Sequence, residues 1–142
     1  MRRILVAVDG SEPSLRAVKY AAELAMKTKA AVTCAYVLAP PMYAAPEALY
    51  LPTPELLEAE RRLAEEAVAQ GRRAAEEAGV QANTVVLEGS PGEALVHLAE
   101  RSADVDMVVV GSRGRNALSR MLLGSVADRV VHLSKKPVLV VR

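Results

Sequence analysis

The residues best suited to chemistry lie in the last third of the chain. Gly111-Ser112-Arg113-Gly114 is followed, nine residues later, by Gly124-Ser125. A polyanion such as a triphosphate needs many N–H donors and close approach of the main chain. Glycine permits both, because it lacks Cβ and reaches positive φ. A helix expected from about Ser125 would add orphan N–H groups and the positive end of its dipole. Ser125 offers a hydroxyl, and Arg113 and Arg115 can set charge beside phosphate oxygens. Each feature also has a plainer reading. Gly111 and Gly114 can make a turn after a strand, Ser125 with Asp128 can form a Ser-x-x-Asp cap, and loop arginines are commonly just solvated. Taken together, at the carboxyl end of a central strand, they point to phosphate binding.

The rest of the chain shows how such a loop is held. Five short apolar runs alternate with four helical patterns. Ile4 to Val8 is apolar on both faces, as in a central parallel strand covered by helices. Ser11 can cap a first helix with Pro13 in its opening turn, and Leu15, Val18, Ala22 and Ala25 repeat at helical spacing. Val32 to Leu38 reads as the second strand. A second helix starts at Thr53-Pro54 and runs to about Ala78, with Leu56, Leu63, Ala67, Ala74 and Ala78 on its buried side, a Glu58–Arg62 pair on its wet side and Gly79 as its C′ glycine. Val85 to Leu87 gives a third strand, and Ser90-Pro91-Gly92-Glu93 reads as a capping box that opens a third helix. Met107 to Val110 is a fourth strand, Ser125 to Leu133 a fourth helix and Pro137 to Val141 a fifth strand. The order βαβαβαβαβ with right-handed crossovers predicts an α/β fold: a five-stranded parallel sheet, order 3-2-1-4-5, with helices on both faces, in one domain spanning residues 1–142. Five of the eight prolines fall between Ala39 and Pro54, which reads as a long loop.

Composition narrows the function. Lys plus Arg is 18 and Asp plus Glu is 17, a formal net charge of +1, without the basic excess of a dedicated nucleic-acid binder. Four Tyr and no Phe or Trp leave the core to Val, Leu, Ile and Ala. The lone cysteine, Cys34, lies within the second strand and reads as a small core residue. No run is long and apolar enough for a membrane span, and the apolar start is too short for a signal peptide, so a cytoplasmic location is expected. G-x4-G-K-[ST] is absent, as is G-x-G-x-x-G after the first strand, which argues against a P-loop NTPase and a Rossmann dinucleotide enzyme. His97 and His132 show no metal spacing with each other or with Cys34. Ser11 and Ser14 have no His or Asp partner at a recognisable spacing. Ala117 to Leu123 reads as a short helix packing the loop down, or as a contact surface.

The spaced motif resembles the ATP-binding branch of the universal stress protein family, whose G-x2-G-x9-G-[ST] is matched by Gly111, Gly114, Gly124 and Ser125 without a gap. The likeness extends to Ile4-Leu5-Val6-Ala7-Val8-Asp9-Gly10-Ser11 and to Lys136-Pro137-Val138-Leu139-Val140-Val141. The Pro-rich segment at 39–54 is the least family-like part. The resemblance implies an adenine nucleotide, ATP, with Mg²⁺ carried on its phosphates. It implies that Asp9 lies by the nucleoside, with helix capping as the competing role. It also implies that Ala7, Val8 and Val37 flank the adenine, and that Val110, Val126 and the main chain around Gly111 lie on the ribose and phosphate side. Most valines at strand ends are simply core. The family pairs its last strands across a two-fold axis, so a homodimer through Val138 to Val141 is expected, which would also cover an apolar sheet edge.

Three functions compete. The first is a nucleotide-dependent stress-response binding module, favoured because phosphate donors are evident and a base to activate water is not. The second is a slow ATP hydrolase or phosphotransferase with Asp9 in a catalytic role. The third is a nucleotide-free dimeric scaffold, which the intact motif disfavours.

Overall fold

A computed structural model of the chain describes residues 1–40, 52–113 and 122–142. Among these residues the order is β1 (Arg3–Ala7), α1 (Glu12–Thr28), β2 (Ala31–Leu38), α2 (Pro54–Glu77), β3 (Ala82–Glu88), α3 (Pro91–Arg101), β4 (Val105–Gly111), α4 (Ser125–Leu133) and β5 (Val138–Val141). The strands form one parallel sheet in the order β3-β2-β1-β4-β5, as expected.

Strand alternation divides the core in two. Ile4, Val6 and Val8 face α1 and α2, together with Val32, Cys34, Tyr36 and Val109. Leu5, Ala35, Val108 and Val110 face α3 and α4, against Leu95, Val96, Ala99, Ala127 and Val130. Parallel strands covered on both sides are apolar at every position, which is why β1 and β4 read as continuous runs.

Local chemistry sets the helix ends. The hydroxyl oxygen of Ser11 accepts from the N–H of Ser14 at 3.3 Å and caps α1. Thr53 caps α2 in the same way, accepting from Leu56 at 3.2 Å. Gly79 follows α2 at φ +80°, the left-handed C′ position that glycine fills without strain. The Glu58–Arg62 pair forms at 3.3 Å. The expected capping box of α3 does not: Ser90 occupies the N-cap without a side-chain bond, and Glu93 reaches instead to Arg129 of α4 at 2.5 Å.

The buried side of α2 also differs from expectation. Ala64, Ala67, Val68, Gly71 and Ala75 are buried, whereas Leu63 is 53% exposed and Ala78 lies on the surface. Packing distance is the reason. A Cβ on Gly71 would sit 2.9 Å from Cys34 Sγ, so α2 rides close on β2 and only small residues fit between them. At the far end of the sheet, Arg3 pairs with Asp104 at 2.7 Å and Arg2 with Asp106 at 3.1 Å. These guanidiniums, and for Asp106 first of all the Arg2 backbone N–H, hold both carboxyls below the usual carboxylate range.

Candidate nucleotide site

The crossovers from β1 and β4 leave the sheet on opposite faces, so a crevice opens between their carboxyl ends. The described residues outline there a cleft of about 410 Å³. Its floor comprises Ala7, Val8 and Asp9 after β1, Val37 of β2, and Val110 and Gly111 of β4. Arg113 and the start of α4, with Gly124, Ser125 and Val126, form one wall. Ten of the twelve residues expected at the site thus share one cleft. The other two, Gly114 and Arg115, lie outside the described residues, as do 41–51 of the Pro-rich segment and 117–121 of the apolar stretch.

The turn after β1 is tightly bonded. Gly10 takes φ +81° and reverses the chain. The Asp9 carboxylate accepts from the Ser11 N–H at 2.9 Å and from the Ser11 hydroxyl. Ser14, only 5% exposed, accepts from the Asp9 N–H at 3.3 Å and donates to the Ser11 carbonyl at 2.9 Å. Asp9 therefore lines the cleft and supports the start of α1 at once.

At the end of β4 the glycines work differently from the sequence expectation. Gly111 is a strand residue paired with Val141, and Gly124 has φ −61°. Neither needs positive φ; the missing Cβ is what matters at Gly111. A Cβ there would come within 3.3 Å of the Pro13 carbonyl oxygen, so glycine lets the first turn of α1 close on β4. Ser112 then locks the chain, donating to Val141 at 2.7 Å and accepting from the Gly124 N–H at 2.6 Å. The two ends of the intervening segment are thereby tied together.

Gly124, not Ser125, is the N-cap of α4, and it makes no side-chain cap bond. The first helical bond runs from the Asp128 N–H to the Gly124 carbonyl at 2.9 Å. The N–H groups of Ser125, Val126 and Ala127 precede it and have no acceptor among the described residues. The Ser125–Asp128 cap is not made; Asp128 instead lies 3.5 Å from His132 Nδ1. An uncapped helix start beside Arg113 concentrates positive potential at this end of the cleft.

The β2 end offers a different chemistry. The Val8 N–H donates to the Ala35 carbonyl, and the Gly89 N–H to the Leu38 carbonyl on the opposite side of the strand. Alternation turns the N–H and C=O of Val37 to the same side as those of Ala35, where β1 has already ended. A main-chain donor and acceptor thus stand side by side at the cleft floor.

Other candidates recede. Cys34 is fully buried, and burial pushes its thiol up to about 12. Among the described residues no three His, Cys, Asp or Glu side chains gather as a metal site, and no helix is long and apolar enough to cross a membrane.

Residues 1–142 match the profile of the universal stress protein family. The chain belongs to that family. A universal stress protein of Methanocaldococcus jannaschii is 38% identical over 143 aligned positions, covering 99% of this chain and 82% of that protein. The universal stress protein UspA from Lactobacillus plantarum superposes with a TM-score of 0.82 at 27% identity, over 99% of this chain and 97% of that one. A universal stress protein in complex with cAMP superposes with a TM-score of 0.73 at 29% identity, again over 99% and 97%.

For this universal stress protein, the cleft also takes in residues that motif reading passes over. Ser14 belongs to the buried stripe of α1 and was legible from its spacing to Ala17, Val18 and Ala21. Glu60 and Leu63 reach the cleft from α2, and Pro91 and Leu95 from α3. No local signal marks these four, because only the packing of the helices brings them there.

Proposed function

We propose that this protein binds ATP in the cleft and acts as a nucleotide-dependent regulatory module of the stress response, in the cytoplasm where ATP is available. One observation carries the reading: the mostly apolar cleft presents a different set of polar groups at each of its two ends. At the α4 end, uncapped N–H groups and Arg113 suit a polyanion. At the β2 end, the paired N–H and C=O of Val37 match the N1 acceptor and N6 donor of adenine and mismatch the corresponding edge of guanine. In this reading Ala7, Val8 and Val37 flank the base, Val110, Val126 and Gly111 the ribose and phosphates, and Gly114 and Arg115 extend the phosphate cradle. Mg²⁺ would ride on the phosphate oxygens. The relative in complex with cAMP supports an adenine nucleotide as the ligand class.

The bonding of Asp9 supports binding without appreciable turnover. Its carboxylate is engaged by Ser11, in the manner of a positioning group rather than a base held ready for water. Dimerisation through β5 is part of the proposal. Among the described residues this strand pairs only with β4, and Val138, Leu139 and Val140 are incompletely covered.

Titration calorimetry with ATP and Mg²⁺ tests the reading. Saturable binding is expected, weakened by Arg113→Ala chiefly at low salt and more than tenfold by Gly114→Val with the fold retained. Absence of binding at millimolar ATP, or a nucleotide-loaded structure with the α4 N–H groups directed away from the phosphates, would overturn it. ATP turnover abolished by Asp9→Asn, with affinity kept, would replace it by the hydrolase reading.

A further inference from the structure

The α2 wall of the cleft carries one carboxylate, that of Glu60. Its neighbours are committed elsewhere: Glu58 pairs with Arg62 at 3.3 Å, and Arg61 with Glu88 at 3.6 Å. Glu60 itself is half-buried and has no ion pair or side-chain hydrogen bond among the described residues. The Arg61–Glu88 contact brings this turn of α2 to the carboxyl end of β3. Glu88 is in register with Leu38, and Leu87 with Val37. The second turn of α2 therefore lies near the carboxyl ends of β2 and β3, where Glu60 and Leu63 line the same cleft as Val37. An apolar recess with one carboxylate and one main-chain carbonyl suits a flat ring bearing an amine with two hydrogens.

We propose that Glu60 is a specificity-determining residue, accepting a hydrogen bond from the exocyclic amine of the bound base and excluding bases that carry a carbonyl at that position. The proposal rests on the nucleotide reading above. With the base edge on Val37, one amine hydrogen meets the Val37 carbonyl and the other is left for a second acceptor. A 6-oxo group there would face two acceptors and no donor, which is repulsive and leaves desolvated lone pairs unpaired.

The test is a cycle of ligands against variants, read by calorimetry. Wild type, Glu60→Ala and Glu60→Gln are each titrated with ATP, with purine riboside triphosphate, which lacks the amine, and with inosine triphosphate. Wild type should prefer ATP over the amine-free analogue by about tenfold or more, the range for a bond to a charged acceptor. Glu60→Ala should shrink that ratio by about fivefold or more while the analogue's affinity holds. Glu60→Gln, whose amide can donate to a 6-oxo group, should gain affinity for inosine triphosphate. Thermal melts of both variants are expected to match wild type, since Glu60 holds no ion pair or side-chain hydrogen bond among the described residues. Unchanged ATP preference in both variants would overturn the role of Glu60 while leaving nucleotide binding intact. Failure of wild type to bind any of the three would overturn the nucleotide reading itself, and this inference with it.

Discussion

Gly71 offers the sharpest test of how α2 is seated. A glycine within a helix costs about 1 kcal/mol relative to alanine, so Gly71→Ala would stabilise an isolated helix by roughly that amount. Here the added Cβ would lie 2.9 Å from Cys34 Sγ, 3.2 Å from Val8 Cγ1 and 3.3 Å from Cys34 Cβ. Comfortable contacts between such atoms run near 3.5–4.0 Å. The sulfur is short-tethered and fully buried, with no room to swing away. Overpacking of this kind costs about 1–3 kcal/mol, so after the helix gain the net effect should be a loss of up to about 2 kcal/mol, or up to roughly 8 °C in Tm. Cys34→Ala removes the nearest atom and leaves two contacts that need only small adjustment. In that background Gly71→Ala should be neutral or stabilising by up to about 1 kcal/mol, a coupling of at least about 1 kcal/mol. Urea unfolding of the four proteins followed by circular dichroism measures it. If Gly71→Ala stabilises the wild type, or acts equally in both backgrounds, the close seating of α2 on β2 is wrong.

Three further outcomes are expected. Gly92→Ala would bring a Cβ within 2.6 Å of Arg129 Cβ and push α4 off α3, so ATP affinity measured by calorimetry should fall while helical content is kept. Because Asp104 and Asp106 are held below their ordinary values by Arg3 and Arg2, the unfolded chain takes up protons first as acid is added. The stability they contribute is full above about pH 4 and is lost as pH falls through their depressed values, so Tm should decline on that limb, and Asp104→Asn should flatten part of it. With its thiol pushed up to about 12 by burial, Cys34 should stay inert to a thiol reagent at pH 8 in the native protein and react at once in urea.

Much of the architecture was legible because local signals agreed with one another. The apolar runs of β1 and β4, the Ser11 and Thr53 caps and the Gly79 stop all lie where their chemistry puts them. What the pattern missed depends on tertiary distance. The stripe on α2 was drawn through Leu63 because leucine is the larger apolar residue, yet the seam selects for smallness, through Ala64, Ala67, Gly71 and Ala75. The Ser90 cap failed because Glu93 found Arg129 across the helix pair. The glycine motif was read partly through left-handed torsions, yet Gly111 is a strand residue that matters for its missing Cβ, and Gly124 stands at φ −61° as the N-cap of α4. Glu60 carries no signature in one dimension, as its relation to Val37 exists only once α2 lies over β2.

The narrow seam between α2 and β2 also acts as a ruler for the cleft. Alanines and a glycine set how near the helix lies to the sheet, and the same helix overhangs the strand ends through Leu63, next to Ala64, and Glu60, one turn earlier. Residues outside the cleft lining thereby fix the width of the aperture above its floor. Exchanging Ala64 or Ala67 for a bulkier neighbour would jack the roof upward, and a guest cut to the original clearance would rattle.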